Sequence, residues 1–254
     1  MRTQLRYSQG RRKRNVIQES AVAIVKACLG CCLAVSPFWL MARPNASPLP
    51  FELHTRMEID VDGAPNAYGP PDKETLDNLI NAHYRARSEN KIVGYLLAGD
   101  DPSKPVVQGA RDPFPGYYVS TTAFADRAIA DEKNPLKYLD ATKINYVVLG
   151  AKARHLGARL GDFVAVYSLR HKRAVYGLVG DSGNPTGEEG SLHLLQSLGY
   201  HFRDGKEGSV EGKDIIVRFF PHSNPKHEFF RTQAALDQVA GKLGLSRNFA
   251  SPTR

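Results

Sequence analysis

Beyond Pro50 the apolar positions fall into short runs whose spacing switches between a two-residue and a 3.6-residue period. Residues 71–90 place Leu76, Leu79, Ile80 and His83 on one helical face, with a start near Asp72 and Glu74, and predict a helix. Residues 91–98 and 105–108 predict two short strands joined by a Gly-Asp-Asp-Pro-Ser turn, and 117–121 and 144–149 predict two more. Residues 162–168 and 174–179, flanking 169–173, predict a hairpin. A helix over 192–198 follows, its N-terminus holding Glu188, Glu189 and Ser191, then a strand over 214–220 and a helix over 228–243. Strands outnumber helices and are short. The expected fold is therefore mixed α/β and strand-rich, a single domain with a β-barrel-like core and peripheral helices; the double-psi barrel is one candidate form.

The first 49 residues differ in kind. They hold eight of the 34 basic residues, six of them by Arg14, and one of the 26 acidic residues, Glu19. Removing them leaves 26 basic and 25 acidic residues, so the formal charge of +8 belongs to this leader and the remainder is nearly neutral. No basic face with interleaved aromatics follows, so nucleic acid is not an expected partner. An apolar run over 21–42, broken by Lys26 and containing Pro37, fits a secretory signal or an uncleaved signal anchor. Residues 43–50 carry three prolines and read as a linker. The expected division is a leader over 1–49 and one catalytic domain over 50–254, secreted or tethered outside the cytoplasm by 21–42, and acting as a monomer. All three cysteines lie in the leader, which leaves the domain without disulfides or thiolate chemistry.

The chemistry concentrates at one loop. Val175–Val179 reads as a strand that runs through Gly180 into Asp181; a loop rich in Gly, Asn and Pro follows, and Glu188 and Glu189 return at the next apolar segment. Carboxyl groups on either side of one tight loop are the minimal kit for acid/base hydrolysis of a glycosidic bond. Acids also favour the first turn of a helix, and spacing alone leaves that simpler reading open.

Five ordered segments carry a resemblance. The loop above, Glu58-Ile-Asp60-Val-Asp62-Gly63-Ala-Pro65-Asn66-Ala67-Tyr68, the stretch from Val107 through Gly116-Tyr117-Tyr118 to Thr122, Tyr138-Leu-Asp140-Ala141, and Leu160-Gly161-Asp162 to Tyr167 together resemble the chitosanases of glycoside hydrolase family 75. The resemblance spans about Glu58 to Pro221, with gaps. It implies Asp181 and Glu189 as the catalytic pair, since Glu189-Gly190-Ser191 reproduces the family's E-G-S frame; Glu188 stands where the family usually has Gly. It further implies an inverting cut in a β-1,4-linked glucosamine polymer. Asp60, Asp62 and Glu188 are then expected to attract a cationic sugar. Tyr68, Tyr117 and Tyr118 are expected to stack on it, because the single Trp, Trp39, lies in the leader. Ser191 completes the expected substrate contacts. Either carboxyl can be the acid; apolar Leu192 one turn on favours Glu189.

Other motifs are weaker. Gly180-Asp181-Ser182-Gly183 and His83 resemble parts of a trypsin-like protease, but His83 falls in a helical pattern and the flanking blocks are missing or out of order. Glu58-x-Asp60-x-Asp62-Gly63 opens like a calcium loop and then offers Gly69 where a bidentate Glu is required. His193, His201, His222 and His227 have no zinc spacing. No metal or cofactor is expected. The alternative to an exported chitosanase is a catalytically silent glycan-binding protein of the cell envelope on the same scaffold.

Overall fold

In the computed structural model, residues 49–83, 91–99, 101, 103–206 and 208–249 are described. The described residues all fall in one compact unit. The leader's apolar run over 21–42 lies outside the described residues; among those described, no helix is long and apolar enough to cross a membrane.

Six strands close into a barrel in the order β1-β5-β2-β4-β3-β6: β1 Phe51–Asp60, β2 Tyr146–Val148, β3 Phe163–Ser168, β4 Arg173–Asp181, β5 Glu189–Ser191 and β6 Ser209–Phe219. β1 lies parallel to β5 and β2 parallel to β4, and the other four pairings are antiparallel. Closure leaves no unpaired edge, which lets strands as short as β2 and β5 persist within the sheet. Met57, Tyr146, Phe163, Leu178, Ile215 and Leu194 are among the largest fully buried side chains. This is the strand-rich, barrel-cored single domain that the sequence predicts.

The described residues hold three α-helices, α1 Ala151–His155, α2 Leu192–Ser197 and α3 Gln233–Lys242; α2 packs on β1, β4 and β5, and α3 on β4. α2 and α3 each begin at a hydroxyl cap, Ser191 Oγ accepting from Leu194 N–H and Thr232 Oγ1 from Ala235 N–H. The β3–β4 hairpin and β6 fall where alternation predicts them.

The departures have physical causes. Residues 71–83, the described part of the expected 71–90 helix, hold only a 3-10 turn, Leu79–Ala82; residues 84–90 lie outside the described residues. Ile80 is 70 % exposed, whereas Asp77 is 5 % exposed and accepts hydrogen bonds from Asn78 N–H and Asn81 Nδ2. A buried polar anchor, not the apolar stripe, organises this segment. Of the two acids before α2, Glu189 opens β5 and Glu188 ends the loop before it, and no acid occupies the helix's first turn. β1, where no strand is expected, alternates Phe51, Leu53, Thr55, Met57 and Ile59 on one face, with a bulge between Thr55 and Met57. Residues 91–121 pair through isolated bridges, Tyr95 with Ser120, Leu97 with Pro105 and Val107 with Tyr118, not through continuous strands.

The exposure of β1 changes along its length. Its first half alternates between partly buried and exposed residues, but from Met57 onward no residue is fully exposed. β4 likewise is buried from Tyr176 to Asp181. Parts of the excursion between β1 and β2 reach the ends of these strands: Ala123 N–H donates to Asp181, Phe124 N–H to the Gly180 carbonyl and Tyr68 OH to Asp62.

Candidate active site

One extra residue aims Asp181. β2 pairs with β4 as Val147↔Val179 and then Val148↔Asp181, so Gly180 is a bulge. Side chains alternate along a strand, and without this insertion Asp181 would face the opposite side. Only glycine fits there: a Cβ on Gly180 would sit 2.5 Å from Tyr146 Cβ and 2.8 Å from Leu139 Cδ1. Asp181 is 7 % exposed, and its Oδ1 accepts from Ala123 N–H (2.8 Å) and Ser182 N–H (2.7 Å). Burial raises its pKa to about 7 against the pull of those two donors, and the Glu189 charge adds to the rise.

β1 delivers two more carboxyls. Asp60 Oδ1 accepts from Asp62 N–H at 2.8 Å, and Asp62 Oδ1 accepts from Tyr68 OH at 2.8 Å. Tyr146 OH donates to the Asp62 carbonyl at 2.9 Å. Burial pushes both acids well above the carboxylate range; next in weight comes the Asp62 charge for Asp60 and the Asp181 charge for Asp62. The acidic wall expected from sequence is therefore a cluster of buried carboxyls whose proton affinity is raised. Asp60, Asp62 and Asp181 each present an oxygen within 4.8 Å of the others, the spacing at which three carboxylates could grip a cation. Their raised proton affinity opposes that use, since a hard cation needs the ionised form.

Glu189 enters from β5. Val147 pairs with both Val179 and Gly190, so β2 lies between Glu189 and Asp181 and separates their backbones by two inter-strand steps, about 9.5 Å. A Cβ on Gly190 would meet Met57 Sδ at 2.6 Å, which fixes the β5 register against the core. Asp60, Asp62, Asp181 and Glu189 line a cavity of about 60 Å³, together with Asp77, Asn81 and His83. That volume holds a few water molecules but not a sugar ring. Two wider hollows adjoin it. One, of about 580 Å³, shares Ser182, Gly183 and Asn184 with it; the other, of about 260 Å³, shares Ile59, Asp77 and Asn81.

Sequence reasoning missed Asp77 and Asn81, and set His83 aside as a helical residue. Their spacing mimics a helix face, and the only sequence signal of a different role is the polar Asp-Asn pair inside an apolar pattern. His83 instead bridges to Ile92 and closes the 3-10 turn. Ser182 and His83, the weak protease match, share the cavity wall.

The remaining expected substrate contacts have other roles. Tyr68 is 2 % exposed and packs against Tyr95, so its ring offers no face to a sugar; its hydroxyl orients Asp62. Tyr118 packs on the other side of Tyr95, with ring centroids 5.1 Å apart. Tyr117 donates to the Glu74 carbonyl and lies under the Lys73 ammonium. Glu188 pairs with Arg56 at 3.0 Å and accepts from Thr55 Oγ1, which pins the end of the loop before β5. Ser191 is fully buried: its Oγ accepts from Tyr146 and Leu194 N–H and donates to the Ile144 carbonyl. It joins three backbone segments and cannot reach a substrate.

No protein-family model matches the chain, and no curated protein matches it.

Proposed function

We propose that this protein is a glycoside hydrolase that cuts chitosan-like β-1,4-linked glucosamine polymers, with Asp181 as general acid and Glu189 as the base that activates water. The observation that carries this reading is Asp181 itself, a carboxyl that keeps its proton up to about pH 7 at the wall of a cavity sized for water. Acid catalysis is most effective when the donor's pKa lies near the working pH. The assignment reverses the preference for Glu189 as acid that the neighbouring Leu192 suggests.

In this mechanism Asp181 protonates the glycosidic oxygen while Glu189 withdraws a proton from a water in the cavity, which attacks the anomeric carbon from the opposite face. The pair reaches the cavity from strands on either side of β2, so the two carboxyls come from opposite sides of it, as an inverting site that seats a water between them needs. Asp60 and Asp62 line the same cavity wall, and it is the Glu189 charge that adds to burial in holding the Asp181 pKa up. The flanking hollows supply length for a polymer on both sides of the scissile bond, which supports cutting within the chain. The substrate class rests on the family resemblance of the five sequence segments.

Release of reducing ends from chitosan tests the reading, with the anomer of the first product followed by NMR. New ends with an inverted α-anomer are expected. A retained β-anomer would sink the inverting assignment. Binding to chitosan without new ends, at high protein concentration, would identify a silent glycan-binding protein and overturn the hydrolase reading.

A further inference from the structure

Positive charge gathers at the end of β4 away from the acid cavity. The loop of the β3–β4 hairpin reads Leu169-Arg170-His171-Lys172, and Arg173 opens β4. Arg170, His171, Lys172 and Arg173 are all exposed, and so is Lys213 of β6, next to Asp214, whose carbonyl accepts from Leu169 N–H at 2.9 Å. Among the described residues no acid forms an ion pair with Arg170, Lys172, Arg173 or Lys213. Asp214 adjoins them, but its carboxylate accepts from Tyr200 OH and Ser168 Oγ; Glu211 accepts from Ser209 Oγ. Residues 50–254 are nearly neutral as a whole, so these unpaired cations are a local excess.

The loop that carries them is braced. His171 N–H donates to Ser168 Oγ at 3.0 Å, and Lys172 N–H to the Ser168 carbonyl at 2.9 Å. The His171 ring stands edge-on to Tyr200 with centroids 4.6 Å apart, and Arg170 lies over the same ring. Tyr200 OH is in turn hydrogen-bonded to the buried Ser168 Oγ at 2.8 Å. Lys172 takes the left-handed backbone conformation, with φ 56°, which a glycine adopts without strain. A lysine there strains the turn and adds one more charge to the tip. The loop lines neither hollow beside the acid cavity, so it offers no groove to a polymer.

We infer that the hairpin tip docks the protein on an anionic lipid surface, with Arg170, Lys172, Arg173 and Lys213 against the headgroup phosphates. Each Lys or Arg near such a surface strengthens the contact only about fivefold. That is a weak hold for a free protein, but it suits a domain tethered to a bilayer, where headgroups are present at high effective concentration. The reading of 21–42 as a secretory signal or an anchor is what favours lipid over a soluble polyanion. β4 runs from Arg173 to Asp181, about 25 Å at the rise of an extended strand, so a docked tip leaves the acid cavity clear of the lipid. The inference stands apart from the hydrolase reading, because it uses no residue of the cavity.

Hydrogen–deuterium exchange of the full chain on lipid vesicles tests this, because it reads residues 169–173 by themselves while the leader is the same in every sample. On vesicles of phosphatidylcholine and phosphatidylglycerol in equal parts, peptides covering 169–173 should exchange several-fold more slowly than on phosphatidylcholine alone. Salt at about 1 M should remove the difference, since charges are then screened beyond about 3 Å. Replacing Arg170→Gln, Lys172→Gln and Arg173→Gln together should abolish the slowing, the affinity of the tip for the anionic surface falling by on the order of 100-fold. Lys172→Gly separates charge from folding: it should keep or raise the urea midpoint by relieving the turn, and still weaken the lipid contact about fivefold. Equal exchange on the two lipids, slowing that survives salt, or slowing that persists in the folded triple variant overturns the inference. Slowing by soluble polyphosphate but not by anionic vesicles also overturns it, and makes the partner a soluble polyanion.

Discussion

Asp181→Asn should make the protein inactive and more stable at once, and the size of the gain should depend on pH. The Asp181 carboxyl rises from 3.8 to about 7 on folding. That is about three pH units, and at 1.36 kcal/mol each the ionised form costs the fold about 4 kcal/mol. Below pH 3.8 the group is protonated in both the folded and the unfolded chain and costs nothing. Between 3.8 and 7 the unfolded chain loses its proton first, so stability falls as pH rises, and above 7 the cost is constant. An asparagine carries no charge, and its Oδ1 can still accept from Ala123 and Ser182 N–H. The stability difference between variant and wild type should therefore widen by up to about 4 kcal/mol between pH 4 and pH 8. For a domain of this size that is about 8–16 °C in Tm. Chemical or thermal denaturation of both proteins at the two pH values measures it, and turnover should fall by about 10² to 10⁴ because the proton donor is gone. A pH-independent difference, or a variant less stable at pH 8, would refute the account of Asp181 as a buried, proton-holding acid.

Four further outcomes test other parts of the structure. The alkaline limb of the kcat/KM profile should fall near pH 7, where Asp181 loses its proton, and should vanish from any residual activity of Asp181→Asn. Gly180→Ala forces a methyl against Tyr146 and Leu139 and should cost about 1–3 kcal/mol, read as a lowered midpoint in urea; wild-type stability would show that the bulge tolerates a side chain. Ser191→Ala strands three buried backbone partners and should cost about 2–4 kcal/mol while leaving KM of the folded fraction unchanged, whereas a raised KM at wild-type stability would restore it as a substrate contact. Glu188→Gln should keep substantial activity, because Glu188 pairs with Arg56 outside the cavity; if Glu188→Gln is dead and Glu189→Gln active, the two glutamates have been assigned in the wrong order.

What the sequence by itself determines here is local. The alternation of 162–168 and 174–179 is enough for the β3–β4 hairpin, the apolar spacing of 192–198 for α2, and the strand-to-loop transition at Asp181 for an acid held at a strand end. Even β1 is written in the alternation of Phe51 to Ile59, although the acidic motif at its end draws the eye first. These signals survive because each depends on residues within a turn or two of one another. The tertiary structure decides the rest. Asp60 and Asp181 are far apart in sequence and meet only because β5 and β2 lie between β1 and β4 in the closed barrel. Gly180 decides which face Asp181 takes through a one-residue bulge, and no two-residue pattern encodes that exception. Tyr68 and Ser191 look like surface contacts in the sequence and turn out to be buried, Tyr68 against Tyr95 and Ser191 among Ile144, Tyr146 and Leu194. The proton affinity of the three aspartates is likewise unreadable from their neighbours in the chain. It comes from loss of water and from charges brought close by non-local pairing, and both exist only once the barrel has closed.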